Sequence, residues 1–232
     1  MARLSFSAGL AAIAGAGRRP VLQRTANRRV GQSWTSPAVL AVVVCGALAA
    51  SAPVSAQVEA KFAIMPVAEK KIAQLPTGPL YWLVENFPTL AQAQAAGGPT
   101  SLAAEVAGKA WLLTLGSKGA STPGGSKVVE IGPVAPITAP EYLLRIVRAG
   151  GPPGAKTPVH THPGSEAFYV LGGRLGQRTP HGVSYAAAGQ SMNGHGADTP
   201  MEVFSAGTTN LDQLVMFVVD ATRPFLSPAK LE

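Results

Sequence analysis

The chain has 232 residues, 47% apolar and 13% charged, enough apolar material for the core of one domain with additions. Its formal net charge of +7 belongs to one segment: residues 1–56 carry six arginines and no acidic residue, and beyond them 13 basic residues face 12 acidic ones. The remainder is close to neutral, which excludes the broad basic surface that binding to nucleic acid or to an acidic partner requires.

Residues 1–56 read as an export signal. An arginine-bearing leader runs into the apolar stretch 38–50 and then into Ser-Ala-Pro-Val-Ser-Ala-Gln, where Val54 and Ala56 satisfy the small-residue cleavage rule and leave Gln57 as the mature N-terminus. Thirteen apolar residues fall short of the roughly 20 that a spanning helix needs, so contact with a membrane is expected only through this signal. Arg28-Arg29 is a poor match to a twin-arginine signal. The expected location is the periplasm or the exterior. Cys45, the single cysteine, goes with the leader, so the mature chain has no disulfide, no thiolate nucleophile and no cysteine ligand.

Residues 57–75 are mixed in pattern and read as an arm that packs on the domain or on a second subunit, punctuated by Pro76, Gly78 and Pro79. A short strand is expected at 80–84, with Trp82 buried in it. Residues 89–96 and 101–107 have the Ala, Leu, Gln and Glu content of two short helices, with Pro88 and Pro99 ahead of them and Thr100 as cap of the second. Strands follow at 109–115 and 127–131, separated by a Gly/Ser/Pro loop. No internal repeat is present, so 57–139 is expected to be an elaboration packed on a domain at 140–232.

That domain opens with a strand at 141–148, with Tyr142, Leu144 and Ile146 on one face and Arg145 on the other, ended by Gly150-Gly151-Pro152-Pro153-Gly154. His160 and His162 then project to one side of an extended segment, because side chains alternate with period two. A turn at Pro163-Gly164-Ser165 brings Glu166 back at the start of an apolar strand, 168–171, closed by Gly172 and Gly173. One of Phe168 and Tyr169 faces inward. Two imidazoles and one carboxylate therefore converge. His181, in the turn Thr179-Pro180-His181-Gly182, reads as a solvated loop histidine.

The spacing Gly, five residues, His-x-His, three residues, Glu, six residues, Gly resembles the first sequence motif of the cupins, with Gly154, His160, His162, Glu166 and Gly173 at its fixed positions. The resemblance covers about 141–221. It implies an all-β fold, a cupin-type double-stranded β-helix or jelly-roll barrel, here with a small helical and strand elaboration at the N-terminus. It also implies a divalent metal held inside by His160, His162 and Glu166; Fe, Mn, Cu, Ni and Zn all accept such donors.

The second cupin motif is degraded. Aligning 189–207 to it puts Gly196-Ala197-Asp198 where Pro-x-Gly is expected, Met201 where the third histidine is expected and Ser205 where the asparagine is expected, with one extra residue after Gly189. Three readings stand. Met201 does not bind, leaving an open two-histidine, one-carboxylate site of the kind that suits non-haem iron; its thioether binds and favours a softer ion; or His195 or Asp198 reaches in as a substitute. The fourth possibility is a metal-free barrel in which Met201 only fills space. Glu202 is expected to be a solvated surface charge.

Residues 211–220 form the most apolar strand, fit for cover on both sides by the N-terminal segment or a second subunit. A homodimer is expected on that ground and from the habit of cupins, and the tail from Pro224 is expected to leave the barrel. The resemblance to quercetin-dioxygenase-like cupins implies metal-dependent oxygenation or isomerisation of a small organic molecule. The competing class is a non-catalytic cupin module that binds a small ligand or a metal.

Overall fold

A computed structural model describes residues 61–231. The expected leader, its cleavage site before Gln57 and Cys45 lie outside the described residues. No helix among the described residues is long and apolar enough to cross a membrane.

The fold is built on β6 (Tyr142–Gly151) and β13 (Leu211–Asp220), two ten-residue strands paired antiparallel over their whole length. Both carry apolar residues on each face, and the alternation sends successive apolar residues into different cores. Leu214, Met216 and Val218 of β13 join Leu144 and Ile146 of β6 in one cluster, while Leu211, Val215, Phe217 and Val219 join Leu143, Val147 and Ala149 in another. The expectation that 211–220 is covered on both sides is met.

These strands are the centre of a five-stranded sheet in the order β1-β6-β13-β8-β11, with β1 at Ala63–Ile72, β8 at Gly164–Gly172 and β11 at Ser191–Asn193. The arm expected at 57–75 thus becomes β1, an edge strand on β6 of its own chain, with Val67 as a bulge residue between Pro66 and Ala68. Facing this sheet across the second cluster is a three-stranded sheet, β10 (Gly182–Ala187), β9 (Arg174–Thr179) and β12 (Glu202–Ser205), in the order β10-β9-β12. It contributes Leu175, Ala186 and Val203 to the shared interior. A two-stranded pair, β7 (His160–Thr161) with β14 (Ser227–Pro228), completes the wall.

The outer face of the five-stranded sheet is covered by four strands of the N-terminal half, β2 (Tyr81–Phe87), β3 (Ser101–Val106), β4 (Lys109–Gly116) and β5 (Ser126–Ile131), ordered β3-β4-β2-β5. Trp82 and Trp111 are fully buried between the two sheets with Leu144, Met216 and Val218. The helix α1 (Leu90–Ala96), capped by the Thr89 hydroxyl accepting from the Gln92 amide, lies over the far face of this sheet on Phe87, Ala110 and Leu112. The apolar outer face of β13 is therefore satisfied within the chain.

Two expectations fail. Residues 101–107 are not a helix but β3, which pairs with β4 from Ser101↔Thr114 to Val106↔Lys109. The turn between them, Ala107-Gly108, has φ of +51° and +70°, the doubly left-handed geometry of a two-residue hairpin. Pairing and burial on both sides of β4 outweigh the helical leaning of Leu, Ala and Glu. The tail does not leave the barrel either: it returns as β14 onto β7, pairing Ser227↔Thr161 and Pro228↔His160.

Candidate metal and ligand site

The inner face of the barrel is apolar except where four strands bring polar groups to one place. His160 and His162 flank Thr161 and are both buried, with ring centroids 4.9 Å apart and edges at 82°. Glu166 sits within β8, two same-face steps from Val170, and is also buried. Phe168 lies between them on the inner face, and Tyr169 faces out against Trp111 at 5.9 Å. All three titratable side chains line one cavity of about 50 Å³ together with Thr157 and Gln213, and the rest of its wall is apolar, including Val147, Phe168, Val203 and Phe217. That space holds a few waters or a bound ion with part of a small ligand.

Both imidazoles are oriented through Nδ1. His160 Nδ1 is 2.8 Å from the carbonyl oxygen of Pro158, and His162 Nδ1 is 2.7 Å from that of Phe225. A carbonyl only accepts, so Nδ1 carries the proton in each ring and Nε2 keeps its lone pair. Burial lowers the pKa of His160 and drives that of His162 down to about 4, in both cases against the opposing pull of the backbone hydrogen bond. Both rings are neutral at pH 7, the form that donates to a metal.

Glu166 is pushed up to about 8 by burial, and the one opposing influence is the Gln177 side-chain amide, which donates to its Oε1 at 2.6 Å. The same amide lies 3.6 Å from Met201 Sδ. Met201 is buried, and its backbone pairs with His160 in both directions at 3.0 and 2.9 Å. Gln177 therefore ties the carboxylate of β8 to the thioether beside β12. On the other side of Glu166 the segment after β11 also comes close, which Gly194 permits: a Cβ there would stand 2.5 Å from Glu166 Cγ.

The alternative ligands lie elsewhere. Asp198, exposed, donates its backbone N–H to the carbonyl of His162 at 2.8 Å and gives its carboxylate to Arg223 at 2.7 and 3.1 Å. His195 is half-buried with its ring 5.5 Å from that of His181, and burial followed by the His181 charge lowers its pKa. Glu202 points away from the cavity as its alternation with Met201 requires, but it is not solvated. It is buried, with Lys156 at 2.9 Å and Arg178 at 3.1 Å over its carboxylate. The flanking cations shield a charge that composition alone assigns to the surface.

The donors fit a divalent metal in kind: two neutral imidazoles with free Nε2 lone pairs and a carboxylate facing one cavity. They are not drawn together into a closed cage, since among the described residues no three His, Cys, Asp or Glu side chains form a group that would hold an ion as they stand. Glu166 is instead turned to Gln177. Three residues of the site carry no sequence signal: Gln177, Phe225 and Gln213, a buried glutamine on the cavity wall.

No family model matches the chain. No curated protein matches it. Among solved structures it is similar to DMSP lyases RdDddP and RnDddQII, at 21% identity and a TM-score of 0.33 over 38% of this chain and 44% of that one. It is similar to the polyketide cyclase RemF from Streptomyces resistomycificus, at 20% identity and 0.32 over 38% and 62%. A further match is a salicylate 1,2-dioxygenase mutant from Pseudoaminobacter salicylatoxidans, at 18% identity and 0.29 over 32% and 19%. The chain spans less than two thirds of each of these. The strand order and the inward placement of His160, His162 and Glu166 are those of a cupin-type double-stranded β-helix.

Proposed function

We propose that the chain is an exported cupin that binds one divalent metal through His160, His162 and Glu166 and acts on a small organic molecule, by oxygenation or isomerisation. The observation that carries this reading is the double anchoring of the imidazoles: Pro158 and Phe225 each take the Nδ1 proton, so both Nε2 atoms are left as acceptors beside a buried carboxylate. Backbone carbonyls are the usual outer partners of metal-ligating histidines. Bound there, the ion would supply Lewis acidity and open coordination positions.

The chain's own part is positioning and exclusion of water. The largely apolar walls limit the cavity to a few waters, the histidines stay neutral, and Gln177 holds one carboxylate oxygen while Glu166 would give up its proton to an incoming ion. The low charge of the cavity suits a small apolar substrate. The leader's composition supports export, and we place the mature chain in the periplasm or outside the cell; N-terminal sequencing of exported protein should begin at Gln57. A homodimer remains part of the proposal, on a face other than the covered side of β13, such as the edge strand β1 with Ile64 and Met65 exposed. Sedimentation of the mature chain tests it, and a monomer at all concentrations would remove it.

The deciding experiment is elemental analysis of protein purified from its native compartment, beside the double variant His160→Ala/His162→Ala. Near one equivalent of iron, manganese, copper, nickel or zinc that disappears in the variant supports the proposal. Metal no higher than in the variant would sink it and leave a non-catalytic ligand-binding barrel.

A further inference from the structure

Gln213 lies on β13 on the barrel-facing side, between Leu211 and Val215, with no exposed surface. Neither its Nε2 nor its Oε1 has a hydrogen-bond partner among the described residues. Its neighbours across the sheet, Ala149 and Val170, are apolar. More than nine in ten buried polar groups are satisfied, so a side chain with both a donor and an acceptor orphaned is exceptional. A Leu or Met of similar volume would fill the place without that penalty. The side chain lines the same cavity as His160, His162 and Glu166.

Its place along the cavity follows from the register. On the inner face β13 pairs Phe217↔Glu166, Val215↔Phe168 and Gln213↔Val170, so Gln213 stands two same-face steps, roughly 13 Å along the strand, from the carboxylate. The slit has the ionisable groups at one end and a neutral amide at the other. Phe168 and Val215 lie between.

We infer that Gln213 is the recognition group of this cavity, and that it takes an uncharged ligand with an apolar body and an amide-like edge, an N–H donor beside a carbonyl acceptor. A glutamine amide and a primary amide or lactam satisfy each other with two antiparallel hydrogen bonds. No lysine or arginine lines the cavity among the described residues, so a carboxylate ligand would be buried without a counter-charge. The aromatic and aliphatic walls match an apolar body. The inference shares the cavity with the metal proposal but not its premise.

Benzamide is the probe, with benzoate and toluene as controls, titrated into the full mature protein as purified and again after chelator treatment. Binding is followed by calorimetry and by the side-chain amide resonances of Gln213. Benzamide should saturate, shift those resonances with or without metal, and bind at least about tenfold more tightly than either control. In Gln213→Leu its affinity should fall about tenfold or more while Tm stays equal or rises, because an orphaned polar group has been removed. Equal binding by the variant, no saturation in the wild type, or binding that requires metal would overturn the inference. Should Gln213→Leu not fold, the wild-type resonances decide: unshifted signals, or a bound water that benzamide does not displace, overturn it. Loss of the metal proposal alone leaves the benzamide result unchanged.

Discussion

The Nδ1 of His162 sits 2.7 Å from the carbonyl oxygen of Phe225, 63 positions further along the chain, and the two rings pack at 4.8 Å. Phe225 in turn meets Phe217 edge to face at 5.0 Å and lies under the Arg145 guanidinium at 4.2 Å. The C-terminal segment is thus part of the site, because it sets the tautomer of one imidazole and covers it.

Ending the chain at Pro224 removes Phe225 from the edge of the second cluster and β14 from β7, and should release that imidazole without unfolding the barrel, whose fully buried residues end at Val219. Burial is the largest influence on His162, so its pKa should climb from about 4 towards the ordinary histidine value of 6.5. Nitrogen NMR should also show the Nδ1–H tautomer give way to a mixture. An unchanged tautomer and pKa would mean that the tail does not orient the ring.

The metal-free protein should be most stable near pH 6.5, with a falling flank on each side. Glu166 binds its proton more tightly when folded, at about 8 against an ordinary 4.5, so its contribution is complete below pH 4.5 and is lost as pH rises through 8. His162 binds its proton less tightly when folded, at about 4 against 6.5, so its contribution is complete above pH 6.5 and is lost as pH falls through 4. Between 4.5 and 6.5 the Glu166 and His162 slopes oppose each other, and the lowered pKa values of His160 and His195 add to the rising side. Above 6.5 only Glu166 remains, and stability should drop by roughly 1.4 kcal/mol per pH unit until about pH 8. Urea unfolding with chelator across pH 4–9 measures this. A divalent ion that replaces the proton on Glu166 should remove the high-pH flank.

Gln177→Leu isolates the other side of that carboxylate. It removes the donor 2.6 Å from Glu166 Oε1 and leaves a buried acceptor unmet, which should cost about 1–3 kcal/mol. Loss of the only influence that lowers the Glu166 pKa should also extend the falling high-pH flank beyond pH 8. Equal stability and an unchanged flank would mean that the amide is not holding the carboxylate.

What the sequence makes legible follows from short range. His160 and His162 share a side because strands alternate, and Glu166 returns because the chain bends at Pro163 and enters β8 at Gly164, two residues before it. The partners that complete the site come from distant strands: Gln177 from β9, Gln213 from β13 and Phe225 from the tail. No local pattern marks them, since a glutamine looks the same on a wet face and in a core. Glu202 and the 101–107 segment fail for a related reason. Composition describes a residue's intrinsic preference, and here Lys156 and Arg178, or a paired strand, decide instead.

The hairpin between β3 and β4 offers a direct check of that second point. Ala107 holds φ of +51°, a region that disfavours residues with a Cβ, while Asn tolerates it. Ala107→Asn should therefore stabilise the protein by about 0.5–1 kcal/mol, seen as a higher urea midpoint with an unchanged slope. If 101–107 were helical instead, Asn in place of Ala would be unfavourable and the midpoint would fall.

Gly194 gives the sharpest test of how the site is assembled. The turn after β11 passes so close to β8 that a Cβ at 194 would meet Glu166 Cγ at 2.5 Å and the Glu166 carbonyl oxygen at 2.7 Å, while the Gly194 N–H donates to that carbonyl at 3.0 Å. Neither backbone has room to yield, because β8 is held by β13 on its other side. Gly194→Ala should cost about 1–3 kcal/mol through overpacking and push the carboxylate off Gln177. A change confined to strain would lower stability equally at all pH values. A displaced carboxylate would instead alter the high-pH flank that Glu166 produces, because its contact with the one group that lowers its pKa is broken. The expected result is both effects together in Gly194→Ala, and neither in Gly116→Ala, since a Cβ at 116 meets nothing within 4 Å and the backbone there is not left-handed.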